Sequence, residues 1–245
     1  MAQRVQKFLS SIGHGSRREI ENWINNGRLF IDNLQAEIGQ PVTGKEKFHL
    51  DGKLLKVTNS HYSHNVLSYN KPIDEITTRF DPEGRRTVFQ SLPDIPGSRW
   101  ISIGRLDINT SGLLLFTTDG KLANALMHPA QMVERRYSVR VQGKPSKAEI
   151  NLLCRGIKLS DGKAQFNSIK LIRRTTSNSW LHVSLREGRN REVRRLWEAI
   201  GYRVGKLKRI GFGSIDLSRS IKPGNYKILN ESETKLLYLD AHLKI

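Results

Sequence analysis

Two helical hydrophobic patterns stand at the start of the chain. In the first, apolar residues recur three or four positions apart, at Val5, Phe8, Leu9 and Ile12. The second pattern is preceded by a helix-start signal. Ser16 and Glu19 have the spacing of a capping box, in which each side chain accepts a backbone N–H of the first turn. Short alternating segments follow at 29–32 and 48–55, so this part of the chain is predicted to be a mixed α and β unit.

Strand patterns dominate the rest of the chain, from Val66 onward. Apolar and polar residues alternate at 136–141 and again at 181–186, which indicates strands with one buried and one polar face. Helical spacing is rarer, and it predicts helices at 121–127, 147–155 and 191–200. Because strands and helices do not alternate as they do in parallel sheets, we expect an α+β fold.

The predicted elements divide the chain into two domains. Residues 1–59 form the small mixed domain, the polar stretch at 60–65 is the linker, and residues 66–245 form a mainly antiparallel domain with flanking helices. The sequence has no internal repeat or low-complexity tract, so each domain has to bury a core of its own.

The charge balance of the chain is strongly basic. Its 245 residues include 41 Lys and Arg against 23 Asp and Glu, a formal net charge of +18. Such an excess favours a polyanionic partner, and nucleic acid is the first candidate. A membrane surface is the alternative, but the sequence has neither a long apolar run nor a charged-then-apolar leader over residues 1–10. We therefore expect a soluble, cytoplasmic protein.

Cysteine and histidine usage bears on metal and disulfide chemistry. Cys154 is the only cysteine, which excludes an intrachain disulfide and a zinc site built from several thiolates. His61 and His64 form the only close histidine pair, and no third ligand stands near them. We expect this pair to be solvated, and we expect neither a metal nor another cofactor.

The predicted helix at 191–200 has one apolar and one basic face. The apolar face consists of Val193, Leu196, Trp197 and Ile200. Arg191, Arg194 and Arg195 lie opposite, and nine basic residues stand against three acidic ones across 186–209. Clustered arginines neutralise phosphates well, which predicts contact with nucleic acid. A solvated helix face is the alternative.

The first domain carries a second basic group. Arg17 and Arg18 stand at the start of its second predicted helix and Arg28 just past its end, an arrangement that suits phosphate binding. A mildly basic surface is the alternative. The segments Ser16-Arg17-Arg18, Trp23-Ile24 and 27–32 resemble the S4 RNA-binding fold. That resemblance implies a structured RNA partner and leaves the reaction open.

The segment 104–116 carries the candidate chemistry. It predicts a polar turn with Arg105 and Asp107, followed by a buried apolar strand that Gly112 opens. An ionisable pair beside a buried strand is held rigidly, which favours catalysis. Three other interpretations stand beside it: Asp107 as an Asx-turn residue, as the partner of Arg105 in a surface ion pair, or as a cation ligand with Asn109.

This segment is similar to the signature of the ribosomal RNA pseudouridine synthases. The group it resembles comprises synthase A, which acts on the small ribosomal subunit, and synthases B, E and F, which act on the large subunit. The similarity extends through segments 117–120, 126–129, 134–137 and 187–197 and so spans most of the chain. Segments 187–197 and 114–120 are most similar to the branch of synthase B. One departure is Asp74, just after Lys71 and Pro72, where the family usually has Gly. The close backbone approach that Gly permits is therefore in doubt here.

The resemblance implies an isomerase that converts a uridine of ribosomal RNA, 23S rather than 16S, to pseudouridine. It implies Asp107 as the carboxylate acting on a flipped-out nucleotide, and Arg194 as the buried cation that keeps this carboxylate ionised. Tyr137 would stack on the base and mediate proton transfer, and Leu185 would pack under it. Arg105 would fill the space that the nucleotide leaves. Further RNA contacts are expected from Arg17, Arg18, Arg28, Arg189, Arg191 and Arg195.

Simpler, non-catalytic roles would also explain the same side chains. A plain phosphate contact would explain Arg194 or Arg105, and an ordinary core position would explain Tyr137. Two other functions also fit the composition: a ribosomal-RNA-binding assembly factor without chemistry, and an RNA hydrolase or glycosylase that uses Asp107. Nothing in the sequence demands more than a monomer.

Overall fold

The computed structural model describes residues 2–57 and 65–244. Two compact units are present. The first contains the N-terminal region together with Pro93–Ile101 and Thr118–Gly120, and the second contains Asn65–Leu92, Ser102–Thr117 and Lys121–Ile245. Most of the predicted linker and both of its histidines, His61 and His64, lie outside the described residues, and the predicted domain boundaries stay a prediction.

The first unit contains the two predicted helices and two small antiparallel sheets. The Ser16 hydroxyl accepts the backbone N–H of Glu19 at 3.1 Å, so the predicted capping box is confirmed. The elements are β1 (Gln3–Arg4), α1 (Val5–Ser11), α2 (Arg17–Asn25), β2 (Leu29–Ile31), β3 (Leu34–Gln35), β4 (Pro41–Val42), β5 (Phe48–Leu50) and β6 (Lys53–Leu54). The two sheets have the strand orders β1-β4 and β3-β2-β5-β6.

The second unit is built on a nine-stranded sheet. Its strands are β7 (Val66–Lys71), β8 (Ile101–Ile103), β9 (Ser111–Thr117), β10 (Arg135–Gln142), β13 (Ser168–Arg174), β14 (Asn178–Leu185), β15 (Val204–Phe212), β16 (Ile215–Asp216) and β17 (Tyr226–Ile228). A separate two-stranded sheet consists of β11 (Ile157–Leu159) and β12 (Gly162–Ala164). The helices are α3 (Gly120–Met127), α4 (Lys147–Arg155), α5 (Glu192–Glu198) and α6 (Glu231–Asp240), with 3₁₀ turns at Val88–Ser91 and Pro129–Gln131.

The main sheet has the strand order β13-β14-β10-β15-β9-β7-β17. All its pairs with a defined register are antiparallel except β9 with β15, so the predicted α+β fold with a mainly antiparallel sheet is confirmed. The strands predicted at 136–141 and 181–186 are β10 and β14, which pair directly. Among the described helices, none is both long and apolar enough to cross a membrane.

Gly112 makes the exceptional parallel contact possible. Its φ is +102°, and an added Cβ would collide with the backbone carbonyl oxygen of Arg209 on β15. This close approach sets β9 against β15 at the point where the turn 104–110 enters the sheet. The position of the turn therefore depends on a residue without a side chain.

Candidate active site

An open cleft of about 1070 Å³ in the second unit contains the turn that carries Asp107. Its other walls come from the ends of β10 and β14, from the loop before α5, and from the segment 76–85. Six residues proposed from the sequence line it: Arg105, Asp107, Tyr137, Leu185, Arg189 and Arg191. Arg194 and Arg195 do not line this cleft, although both lie on α5.

Asp107 lies in a tight turn between β8 and β9. Gly104 begins the turn with a φ of +80°, and the Asp107 carbonyl accepts the N–H of Thr110 at 2.9 Å. The Asp107 side chain is half-buried. Within residues 2–57 and 65–244, its carboxylate makes no ion pair within 4.0 Å, so the surface pair with Arg105 is not formed. The backbone thus fixes the turn, and the carboxylate itself stays available to a ligand.

Lys71 holds this turn from the end of β7. Its side chain is fully buried, and its Nζ donates to the carbonyls of Pro72 and Thr110 at 2.9 Å each and of Ile108 at 3.5 Å. Burial lowers the pKa of Lys71 to about 8, although the charges of Glu75, Asp107 and Asp74 raise it. The sequence patterns did not single out Lys71. The sequence signal that could have indicated its role is a charged residue at the end of β7, a strand that is otherwise buried.

Arg194 holds the Asn109 carbonyl of the same turn. Its guanidinium, 8% exposed, donates to the Asn109 carbonyl and to the Val204 carbonyl, both at 2.9 Å. Burial lowers the pKa of Arg194, whereas the nearby Asp107 charge raises it. Both residues are described, and no ion pair within 4.0 Å joins them. Arg194 is therefore connected to Asp107 through the turn backbone at Asn109, and its guanidinium lies near enough to feel the Asp107 charge.

Tyr137 and Leu185 form an apolar part of the cleft wall. Tyr137 is 8% exposed and Leu185 is 2% exposed, so each presents only a small surface. Tyr137 is the cross-strand partner of Val183 on β14 and of Arg209 on β15, which fixes it in the middle of the sheet. Tyr137 and Leu185, the residues predicted to contact the base, therefore lie on the same side of the sheet as Asp107.

Two arginines that the sequence patterns did not single out lie beside Tyr137. Arg209 is 2% exposed, donates its Nε to the Leu113 carbonyl at 2.7 Å, and stacks on Phe212. Arg135 donates to the Val133 carbonyl at 2.9 Å and also contacts the Phe212 ring. Burial lowers the pKa of Arg135, and the Arg209 charge lowers it further. These cations give the cleft a positive wall beside the aromatic ring.

The other predicted RNA-binding arginines fall into two groups. Some are already paired: Arg28 with Asp51, Arg189 with Glu187 and Asp161, and Arg195 with Asp161. The remaining ones are exposed: Arg17, Arg18, Arg105 and Arg191. An exposed arginine is free to meet a phosphate, whereas a paired one first has to exchange its partner.

Asp74 occupies a conformation that glycine adopts most easily. Its φ is +69°, and its N–H donates to the Ile108 carbonyl at 3.0 Å. Asp is one of the few residues with a side chain that tolerates this region. The departure noted in the sequence therefore keeps the backbone approach to the Asp107 turn, with some strain.

Comparison with known proteins gives three findings. The model of the RNA pseudouridylate synthase family matches residues 65–199. Curated relatives called ribosomal large subunit pseudouridine synthase B are similar to the chain. The one from Escherichia coli K12 is 49% identical over 97% of this chain and 82% of its own length, and the one from Yersinia pestis is 49% identical over 97% and 76%. A solved pseudouridylate synthase shares the fold, with a TM-score of 0.66 and 23% identity over 96% of this chain and 99% of that one.

Proposed function

Because the chain belongs to the RNA pseudouridylate synthase family, we propose that it converts a specific uridine of large-subunit ribosomal RNA to pseudouridine. The curated relatives that match nearly the whole chain carry that substrate class in their names. The observation that carries the proposal within this chain is the shared cleft. It brings a half-buried carboxylate, a flat aromatic ring and several cations to one surface.

The reaction is an isomerisation whose atoms balance without a second substrate. The bond between the ribose C1′ and the uracil N1 breaks, the base turns, and a bond forms between C1′ and C5. The proton leaves C5, and N1 ends as an N–H. No electron is transferred to an outside acceptor, so side chains that hold the nucleotide and move a proton suffice.

Asp107 is the proposed reacting carboxylate. Three steps are compatible with one carboxylate beside the sugar: attack on C1′, addition to the uracil ring, and removal of the ribose 2′ proton. Each needs a target nucleotide taken out of its stack, because the sugar and base are otherwise out of reach. The turn held by Lys71 and Arg194 keeps the carboxylate in a fixed place, which lowers the cost of reaching the reactive geometry.

The other residues of the cleft would hold the RNA. Tyr137 stacks on the flipped base and takes part in the proton transfer, while Leu185 packs against it. Arg105 is exposed at the turn that carries Asp107 and fills the place that the nucleotide leaves. Arg191 is exposed at the start of α5 and contacts a phosphate. The residues of the first unit, Arg17, Arg18 and Arg28, bind the RNA outside the target nucleotide.

The setting of the reaction follows from the substrate. We propose that the target lies in 23S RNA, because the relatives' names refer to the ribosomal large subunit. The protein would then work in the cytoplasm, where ribosomal RNA is processed. We propose that the protein acts as a monomer, since nothing in the sequence demands a second copy.

Carbodiimide mapping of pseudouridine in ribosomal RNA tests the proposal directly. Cells lacking the protein should lose one modified position, and the purified protein should restore it on RNA from those cells. Asp107→Asn, which keeps the shape of the side chain, should leave the position unmodified while binding the RNA nearly as tightly. Unmodified RNA with the wild-type protein would leave only an RNA-binding role. A shortened or abasic product would indicate hydrolysis instead.

A further inference from the structure

A second groove, of about 810 Å³, lies on the other face of the main sheet. Along β10, Tyr137 lines the cleft, whereas Ser138 and Arg140 line this groove, because successive side chains of a strand point to opposite faces. Arg140 is in register with Trp180 on β14 and with Lys206 on β15. We call this surface the far groove and define it by Arg140, Trp180, Arg203, Lys206 and Lys208.

The far groove is cationic and its cations are not neutralised. None of its lining residues is acidic. Arg203 and Lys206 are exposed and Lys208 is half-exposed. Over the described ranges 2–57 and 65–244, none of these three side chains takes part in an ion pair within 4.0 Å. Arg189 and Arg195, by contrast, have acidic partners. An uncompensated row of cations is the feature that attracts phosphates.

The floor of the groove is shaped for flat groups. The Arg140 guanidinium lies across Gly205, where an added Cβ would come within 2.8 Å of Nη2. Its Cζ lies 6.0 Å from the centre of the Trp180 ring. Its Nε is buried and has no hydrogen-bond partner among the described residues. A glycine thus keeps room for a guanidinium beside an indole, and both surfaces stack readily on nucleic-acid bases.

The turn that carries Asp107 separates the two concavities and contributes to both. Asp107, Ile108 and Thr110 line the cleft, while Asn109 and Ser111 line the far groove. The cleft and the far groove therefore adjoin at this turn, and an RNA strand that leaves the cleft here would pass around the turn to reach the groove on the other face. We propose that the far groove binds single-stranded RNA next to the target nucleotide, with Arg203, Lys206 and Lys208 on phosphates and one base stacked against Trp180. This proposal rests on the proposed function, because it takes the RNA in the cleft to be the substrate.

The test compares two fluorescent RNAs in equilibrium binding measurements. One is a stem-loop containing the mapped uridine, and the other is the same stem-loop with a single-stranded extension on each side. The groove variant is Arg203→Gln/Lys206→Gln/Lys208→Gln. Its matched control, Lys147→Gln/Lys158→Gln/Lys222→Gln, removes the same charge from exposed positions outside the groove. Thermal unfolding of each variant checks the fold, and Lys206→Gln alone serves if the triple variant is unstable.

We expect the wild-type and control proteins to bind the extended RNA more tightly than the bare stem-loop. The groove variant should lose that difference, and its salt dependence on the extended RNA should fall by about 0.7 in log–log slope for each phosphate contact removed. Trp180→Leu should weaken binding of the extended RNA about 10-fold. An equal loss on both RNAs, or an equal loss in the control, would overturn the proposal.

Two further results distinguish single-strand binding in the groove from general attraction to RNA. If double-stranded extensions rather than single-stranded ones give the added affinity, the stacking role of Trp180 is wrong and the proposal fails. Conversion of the mapped uridine is measured on the same samples. Absence of pseudouridine with wild-type protein refutes the proposed function, whereas normal conversion with unchanged groove-variant binding refutes only the groove.

Discussion

Lys71 and Arg194 donate to neighbouring carbonyls of the same turn: Lys71 to those of Ile108 and Thr110, and Arg194 to that of Asn109. Three successive carbonyls next to Asp107 are thus held by buried cations. Buried cations are destabilising unless they are hydrogen-bonded, and here the hydrogen bonds all go to backbone. The arrangement uses two charges to fix one turn, as expected for a turn whose carboxylate has to stay in one place.

Arg194→Ala should lower the rate constant for conversion about 100-fold or more, because it frees the turn and removes the positive charge near Asp107. Arg194→Lys should lower it less, since an ammonium keeps the charge but lacks the fork that reaches both the Asn109 and Val204 carbonyls. Single-turnover kinetics with saturating enzyme measures both. If affinity for RNA falls while the rate constant holds, Arg194 is a phosphate contact instead.

The buried amine of Lys71 should make stability depend on pH in the alkaline range. Burial lowers its pKa from 10.5 to about 8, so between these values the unfolded chain binds more protons than the folded one. The contribution of Lys71 to the free energy of unfolding therefore rises with pH above 8, by up to about 1.4 kcal/mol per pH unit. Lys71→Met should remove this rise.

Urea unfolding of both proteins at pH 7.5 and pH 9.5 measures the effect. In the variant the Pro72 and Thr110 carbonyls lose their donor, which costs about 1–3 kcal/mol at either pH. Removal of the buried charge offsets part of this cost at pH 7.5, so the variant should fall below the wild type in stability by more at pH 9.5 than at pH 7.5. It should also lose conversion, since the turn is no longer held. Parallel pH curves for the wild type and the variant would show that Lys71 does not titrate in this range.

The sequence predicted the features that depend on neighbours along the chain. The capping box at Ser16 and the alternating strands β10 and β14 are local patterns, and all are present. The cations around the turn were harder to predict. The role of Arg194 was predicted only from the family resemblance. The role of Lys71 was missed because its partners at Ile108 and Thr110 lie 37 and 39 residues away along the chain. The parallel contact of β9 with β15 is likewise a long-range feature without a local signal.

Substitutions at Asp74 should separate backbone strain from charge. Asp74→Ala and Asp74→Gly both remove the carboxylate, and they differ only in the Cβ atom. Because the residue has a φ of +69°, the Ala variant should be less stable than the Gly variant by about 1 kcal/mol. Urea unfolding of the pair measures this. Equal stabilities would mean that the turn relaxes to another conformation in the Ala variant.

Glu192 lines the cleft and has a buried carboxyl group, whereas Asp107 is half-buried. It is 3% exposed, and its Oε2 accepts the N–H of Arg189 at 3.1 Å at the start of α5. Burial raises its pKa above the ordinary value of 4.5. Between 4.5 and that raised value the folded chain binds more protons than the unfolded one, so the contribution of Glu192 to the free energy of unfolding falls as the pH rises.

Glu192→Gln should therefore be more stable than the wild type at pH 7, with a difference that vanishes near pH 4. The amide keeps an oxygen that accepts the Arg189 N–H, and it cannot ionise. Urea unfolding at the two pH values measures the difference, with Glu37→Gln as the matched control at an exposed position. The control should change stability by less than about 0.5 kcal/mol. A Gln variant less stable than the wild type at pH 7 would mean that the ionised Glu192 is held favourably by Arg189 and Arg195, and that its burial is not the dominant cause.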